Sequence, residues 1–145
     1  MTSRITRTDM LFEIARTVAK RSTCDRLHVG AVLSRDGRVI TLGYNGAPAG
    51  VAHCNHPATE ALGVGCTLAV HAEANAIAFA AKHGVSTEGA ELHVTNMPCL
   101  KCSQLIINAG ISSVSYLFSY RDPSGIVLLK EGGVNVNGPE ADTHS

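Results

Sequence analysis

Two short strings carry residue types that hold metals and move protons: His71-Ala72-Glu73 and Pro98-Cys99-Leu100-Lys101-Cys102. One imidazole and two thiols are a donor set for Zn²⁺. Three protein ligands leave a fourth tetrahedral position open, the pattern of a catalytic rather than a structural zinc. Zinc in such a site draws the pKa of water toward neutrality and makes it a nucleophile. Glu73 stands two residues from His71, and in mid-helix the pair would face apart. At a first helical turn both side chains reach past the helix tip to one site, which makes Glu73 a general acid/base rather than a fourth ligand. Helix starts are electropositive, so Cys99 and Cys102 ionise more readily there. A redox C-x-x-C would leave the H-x-E string unexplained. A closed structural zinc would need a fourth protein ligand, and a nucleotide-sensing module without turnover would have no use for Glu73.

The two strings must be brought together by the elements around them. Between Glu73 and Pro98 lie 24 residues, room for one helix, one turn and one strand. A helix-strand-helix crossover puts both helix starts at the same end of a sheet, where the strand ends of open α/β sheets collect ligands. Met10, Leu11, Ile14, Ala15, Val18 and Ala19 form an apolar stripe on a helix expected from about Thr8 to Arg21. Val29 to Ser34 and Arg38 to Gly43 read as strands joined at Asp36-Gly37, a hairpin signal because both positions accept positive φ. His71 to His83 is Ala-rich and helical, closed by Gly84, and Ala90 to Thr95 is a strand. Pro98 suits the first helical position of the next helix, which Gly110 stops. Ser113 to Tyr120 is a strand, Ile126 to Glu131 a short helix and Val134 to Asn137 a last strand. This order calls for a three-layer α/β/α fold with a mixed central sheet of about five strands. Phe12, Phe79 and Phe118 are expected in its core, and His83, His93 and His144 at surface or strand positions.

Composition narrows the function classes. A chain of 145 residues with 45% hydrophobic and 17% charged residues is globular and of single-domain length, so residues 1–145 read as one domain. Twelve Lys+Arg against twelve Asp+Glu leave no net charge, which disfavours a nucleic-acid surface, RNA editing included. No continuous apolar run approaches the roughly 18 residues that span a bilayer. Arg4 and Arg7 precede no apolar signal-peptide region, so neither a membrane nor a secretory role is expected. Five cysteines is an odd number, which suits reduced thiols and a cytoplasmic setting better than a disulfide framework.

The chain resembles the cytidine deaminase superfamily and, more narrowly, its deoxycytidylate (dCMP) deaminases, from about Leu11 to Val136. His71-Ala72-Glu73 and Pro98-Cys99 with Cys102 match the H-x-E and P-C-x-x-C pattern of zinc deaminases. Thr23-Cys24-Asp25-Arg26, Val29-Gly30-Ala31-Val32 and Gly43-Tyr44-Asn45-Gly46-Ala47-Pro48 carry the likeness to the dCMP branch. The resemblance implies hydrolysis of dCMP to dUMP and ammonia, with zinc held by His71, Cys99 and Cys102 and Glu73 protonating N3 and then the departing amine. It implies that the Ala72 backbone positions the base and that Asn45 contacts the sugar. It implies homo-oligomers, often hexamers, with dCTP as activator and dTTP as inhibitor, and Mg²⁺ accompanying a regulatory nucleotide. Another cytosine nucleoside or nucleotide as substrate is the alternative, since pocket shape decides it.

A monophosphate needs cationic or amide donors, and Arg26 is the first candidate, Tyr120 with Arg121 the second. Some dCMP deaminases hold a second, structural zinc, and Cys24, Cys54 and Cys66 stand at corresponding places, with His56 or His53 to complete the set. Such a site would tie down the Gly/Pro/His-rich stretch from Tyr44 to Leu68. Free buried cysteines are the plainer alternative.

Overall fold

The hairpin turn at Asp36-Gly37 has both residues at positive φ, 55° and 76°, as a primed two-residue turn requires. The strands that it joins, β1 (Gly30–Arg35) and β2 (Arg38–Tyr44), pair antiparallel. The structure, a computed structural model, describes residues 3–24, 27–53 and 68–139. Arg26, Cys54, His56, Cys66 and His144 therefore lie outside the described residues. The further elements are α1 (Arg7–Ala19), α2 (Ala72–Lys82), β3 (Glu91–Asn96), α3 (Leu100–Asn108), β4 (Ser113–Phe118), α4 (Ser124–Glu131) and β5 (Asn135–Asn137). The sheet order is β2-β1-β3-β4-β5, with β1 antiparallel to β3 and the pairs β3–β4 and β4–β5 parallel. The mixed five-stranded sheet and the succession of helices and strands along the chain match the sequence expectation.

Alternation along the strands divides the core between the two faces. Ala31, Leu33, Leu92, Val94 and Val114 point to the side covered by α2, α3 and α4, where Ala72, Ala76, Ile106 and Leu129 meet them. Val32 points the other way, onto Leu11 and Ala15 of α1. The stripe of α1 thus buries Leu11, Ala15 and Ala19, and its N-terminus is capped by Thr6, whose hydroxyl accepts from Asp9 N–H at 3.1 Å. The result is the three-layer α/β/α arrangement.

Two expectations needed correction. Phe79 and Phe118 are exposed rather than core residues. Ala76 and Ala80 supply the inward face of α2 in place of Phe79, and Phe118 ends β4 beyond the helical cover. Pro98 does not begin α3, because Cys99 takes the N-cap with extended φ,ψ of −78°, 174° and its sulfur accepts from Cys102 N–H. The cap is therefore a sulfur from the P-C-x-x-C string itself.

Close approach of α2 to β2 places the first string. A Cβ on Gly43 would stand 2.5 Å from Ala72 O and 2.5 Å from Ala76 N, so only glycine lets the helix lie this near the strand. Thr41 Oγ1 donates to Ala76 O at 3.1 Å, and Asn75 Nδ2 donates to Tyr44 O at 2.8 Å, which pins the start of α2 to the end of β2.

Candidate active site

His71 is the N-cap of α2 and Cys99 the N-cap of α3, so both helix starts open at the carboxyl end of β3, as the crossover spacing predicts. His71 Nδ1 lies 3.5 Å from Cys99 Sγ and 3.3 Å from Cys102 Sγ. The donor atoms of all three residues fall within 4.8 Å of one another. Each sits on a rigid element: Cys102 is buried in the first turn of α3, while His71 and Cys99 face outward on the two caps. Among the described residues this is the one cluster with metal-holding geometry.

The charge balance of the cluster suits a cation. Cys102 donates to Cys99, and that hydrogen bond, with His71 beside it, holds the Cys99 thiol down at about 3. Cys102 is driven the other way, chiefly because it is the donor to Cys99 and then because it is buried. One thiolate thus stands ready, and a bound divalent ion displaces the remaining thiol proton. Two soft sulfurs and one imidazole on preset elements fit Zn²⁺.

Glu73 is 4% exposed in the first turn of α2, beside the cluster. Burial raises its carboxyl from 4.5 to about 7, while a backbone hydrogen bond and His71 oppose the rise. An acid poised near neutrality can both take and return a proton. Glu73, His71, Ala72 and Cys99 line a cavity of about 610 Å³, the size of a small-ligand pocket. Ala72 is the first residue of α2, so its N–H belongs to the helix-start amides that lack an intrahelical acceptor.

The outer residues sort less simply. Asn45 lines the cavity, but its carboxamide is engaged with the backbone: Oδ1 accepts from Val29 N–H at 2.8 Å and Nδ2 donates to Leu27 O at 2.6 Å. It holds the Leu27–Val29 wall in place. Cys24 is buried in the cavity wall, its N–H donating to Ser22 Oγ. Tyr120 lines the mouth, whereas Arg121 is exposed and not among the lining residues. Sequence reasoning missed Asp122, Asn96 and Met97, which also line the cavity. For Asn96 and Met97 a signal existed, because they join the end of β3 to Pro98 and so border the P-C-x-x-C string.

Two sulfurs and an imidazole on two helix starts, with an acid beside them, fit a zinc site on a three-layer α/β/α frame. Comparison with known proteins agrees. The family described as the cytidine and deoxycytidylate deaminase zinc-binding region matches residues 6–118. ComE operon protein 2 of Bacillus subtilis is 44% identical over 126 residues, covering 86% of this chain and 67% of that protein. The deoxycytidylate deaminase of Mycobacterium phage D29 is 44% identical over 114 residues, covering 71% of this chain and 88% of the phage protein. The crystal structure of the dCMP deaminase from cyanophage S-TIM5 in complex with dCMP and dUMP superposes with a TM-score of 0.83 at 31% identity, covering 94% and 99% of the two chains. The chain belongs to the cytidine and deoxycytidylate deaminase family.

Proposed function

We propose that this protein hydrolyses dCMP to dUMP and ammonia. The observation that carries the reading is the convergence of His71, Cys99 and Cys102 beside buried Glu73 in a nucleotide-sized cavity. Relatives that act on or bind dCMP support the choice of substrate. His71 Nδ1 and the two sulfurs hold the zinc. When bound, it supplies a Lewis acid that makes water nucleophilic near neutral pH.

The chain's own residues do the rest. Glu73 removes a proton from the attacking water, delivers one to N3 of the pyrimidine and serves the amine as it leaves. The sum consumes one water and releases one ammonia. The first amides of α2, Ala72 among them, orient the ring, and the Leu27–Val29 wall held by Asn45 closes one side.

Finer parts of the reading rest on chain length, cysteine usage and the family likeness. They are one domain over residues 1–145, a cytoplasmic homo-hexamer, dCTP and dTTP as effectors with Mg²⁺, and a second zinc on Cys24, Cys54, Cys66 and His56. Arg26 is the leading phosphate candidate because an arginine suits bidentate phosphate recognition, ahead of Tyr120, which lines the cavity, and Arg121, which does not. Ammonia release measured across dCMP, dCTP, deoxycytidine and cytosine tests the substrate: turnover is expected to favour dCMP. A metal-replete protein inert toward all four overturns the reading.

A further inference from the structure

Asn96 ends β3 at the cavity, and its carboxamide is oriented by a chain of hydrogen bonds. Gly30 N–H donates to Thr95 Oγ1 at 3.2 Å, and Thr95 Oγ1 donates to Asn96 Oδ1 at 2.7 Å. Thr95 is 3% exposed, so its one hydroxyl proton needs a protein acceptor. Asn96 Oδ1 supplies it. Turning the amide over would set an NH₂ against Thr95 and leave the buried hydroxyl proton unpaired, at a free-energy cost. The relay therefore fixes which end of Asn96 meets Thr95 and leaves Nδ2 without a partner among the described residues.

The other amide and carboxylate side chains of the cavity are committed elsewhere, and Tyr120 lies exposed at its mouth. Asn45 spends both ends of its amide on Leu27 and Val29. Asp122 accepts from Ser124 N–H at 3.0 Å and offers no donor. Glu73 is occupied with the proton. No Lys or Arg lines the cavity among the described residues. A pyrimidine nucleotide brings several oxygen acceptors into this space, and an acceptor buried without a donor weakens binding.

Resting on the deaminase reading, we infer that Asn96 is a substrate-contacting residue whose Nδ2 donates to an oxygen acceptor of the nucleotide, with Thr95 as the positioning residue that orients it. The contact sets affinity for the nucleotide more than the rate of the proton steps, which belong to Glu73.

The test uses the zinc-loaded protein and four variants, measuring kcat and KM for dCMP and deoxycytidine and the affinity for dUMP by titration calorimetry. Asn96→Leu removes the amide without adding charge, and Asn96→Asp keeps the acceptor for Thr95 but loses the donor. Both are expected to raise KM for dCMP and weaken dUMP binding by about threefold to a hundredfold, the range for a lost neutral or charged hydrogen bond. kcat should change less. Thr95→Val should move KM the same way by a smaller factor, and Thr95→Ser should restore it. A loss confined to dCMP assigns the phosphate as acceptor, and an equal loss on deoxycytidine assigns a base or sugar oxygen. Folded Asn96 variants with wild-type zinc content, and with KM and dUMP affinity within about twofold of the parent, overturn the proposal. If the parent turns over no dCMP, the deaminase reading fails, while the dUMP titration still reports on Asn96.

Discussion

Glu73 and the three donors divide the chemistry in a way that single substitutions can separate. Glu73→Gln keeps the size and the helix position but removes the titrating oxygen. It should retain zinc and lose about 10²–10⁴-fold in kcat, the range for a positioned general acid/base. Zinc content by elemental analysis and turnover of dCMP, measured on the same sample, check both halves. Cys102→Ser is expected to fail differently, losing zinc and activity together, because a hydroxyl is a far poorer donor than a thiolate. If Arg26 meets the phosphate, Arg26→Ala should lower kcat/KM for dCMP more than for deoxycytidine. Equal losses on both substrates would exclude a phosphate role.

Elements position these residues through contacts remote from the cluster of donors. Gly43 is the clearest case, since α2 lies against β2 where no side chain fits. Gly43→Val should destabilise by about 1–3 kcal/mol through overpacking against backbone that cannot yield, read as a lower denaturant midpoint. It should also cost activity by displacing His71 and Glu73. On the opposite face of the sheet, His93 is buried against Phe12, with ring centroids 5.1 Å apart, and its Nδ1 has no hydrogen-bond partner among the described residues. Burial lowers its pKa below the usual histidine value, with Glu91 opposing. The sign follows from linkage: below the unfolded pKa of about 6.5 the unfolded chain takes up a proton that the folded chain refuses, so stability falls with pH there. Denaturation at pH 7.5 and pH 5 should show this loss in the parent and a smaller one in His93→Leu.

At the scale of the whole molecule, a zinc held by His71, Cys99 and Cys102 would join the start of α2 to that of α3. Chelation should abolish activity and lower the thermal midpoint, and added Zn²⁺ should restore both where Mg²⁺ does not. One zinc per chain by elemental analysis would remove the second site on Cys24, Cys54, Cys66 and His56, and two would support it. No helix among the described residues is long and apolar enough to cross a membrane.

The meeting of His71, Cys99 and Cys102, the place of Glu73 beside them and the order of elements were legible in the sequence because their physics is local. Donor types, the 24-residue interval between the two strings and the apolar periods each follow from neighbours along the chain. Tertiary structure decided what depends on approach between distant segments. It buried Glu73 and so raised its pKa, turned Phe79 outward, and set Cys99 at the cap in place of Pro98. It also tied the Asn45 amide to the Leu27–Val29 backbone and aligned Gly30, Thr95 and Asn96 in one relay. Burial and hydrogen-bond partnership are properties of pairs that the chain separates by tens of residues, and spacing alone does not encode them.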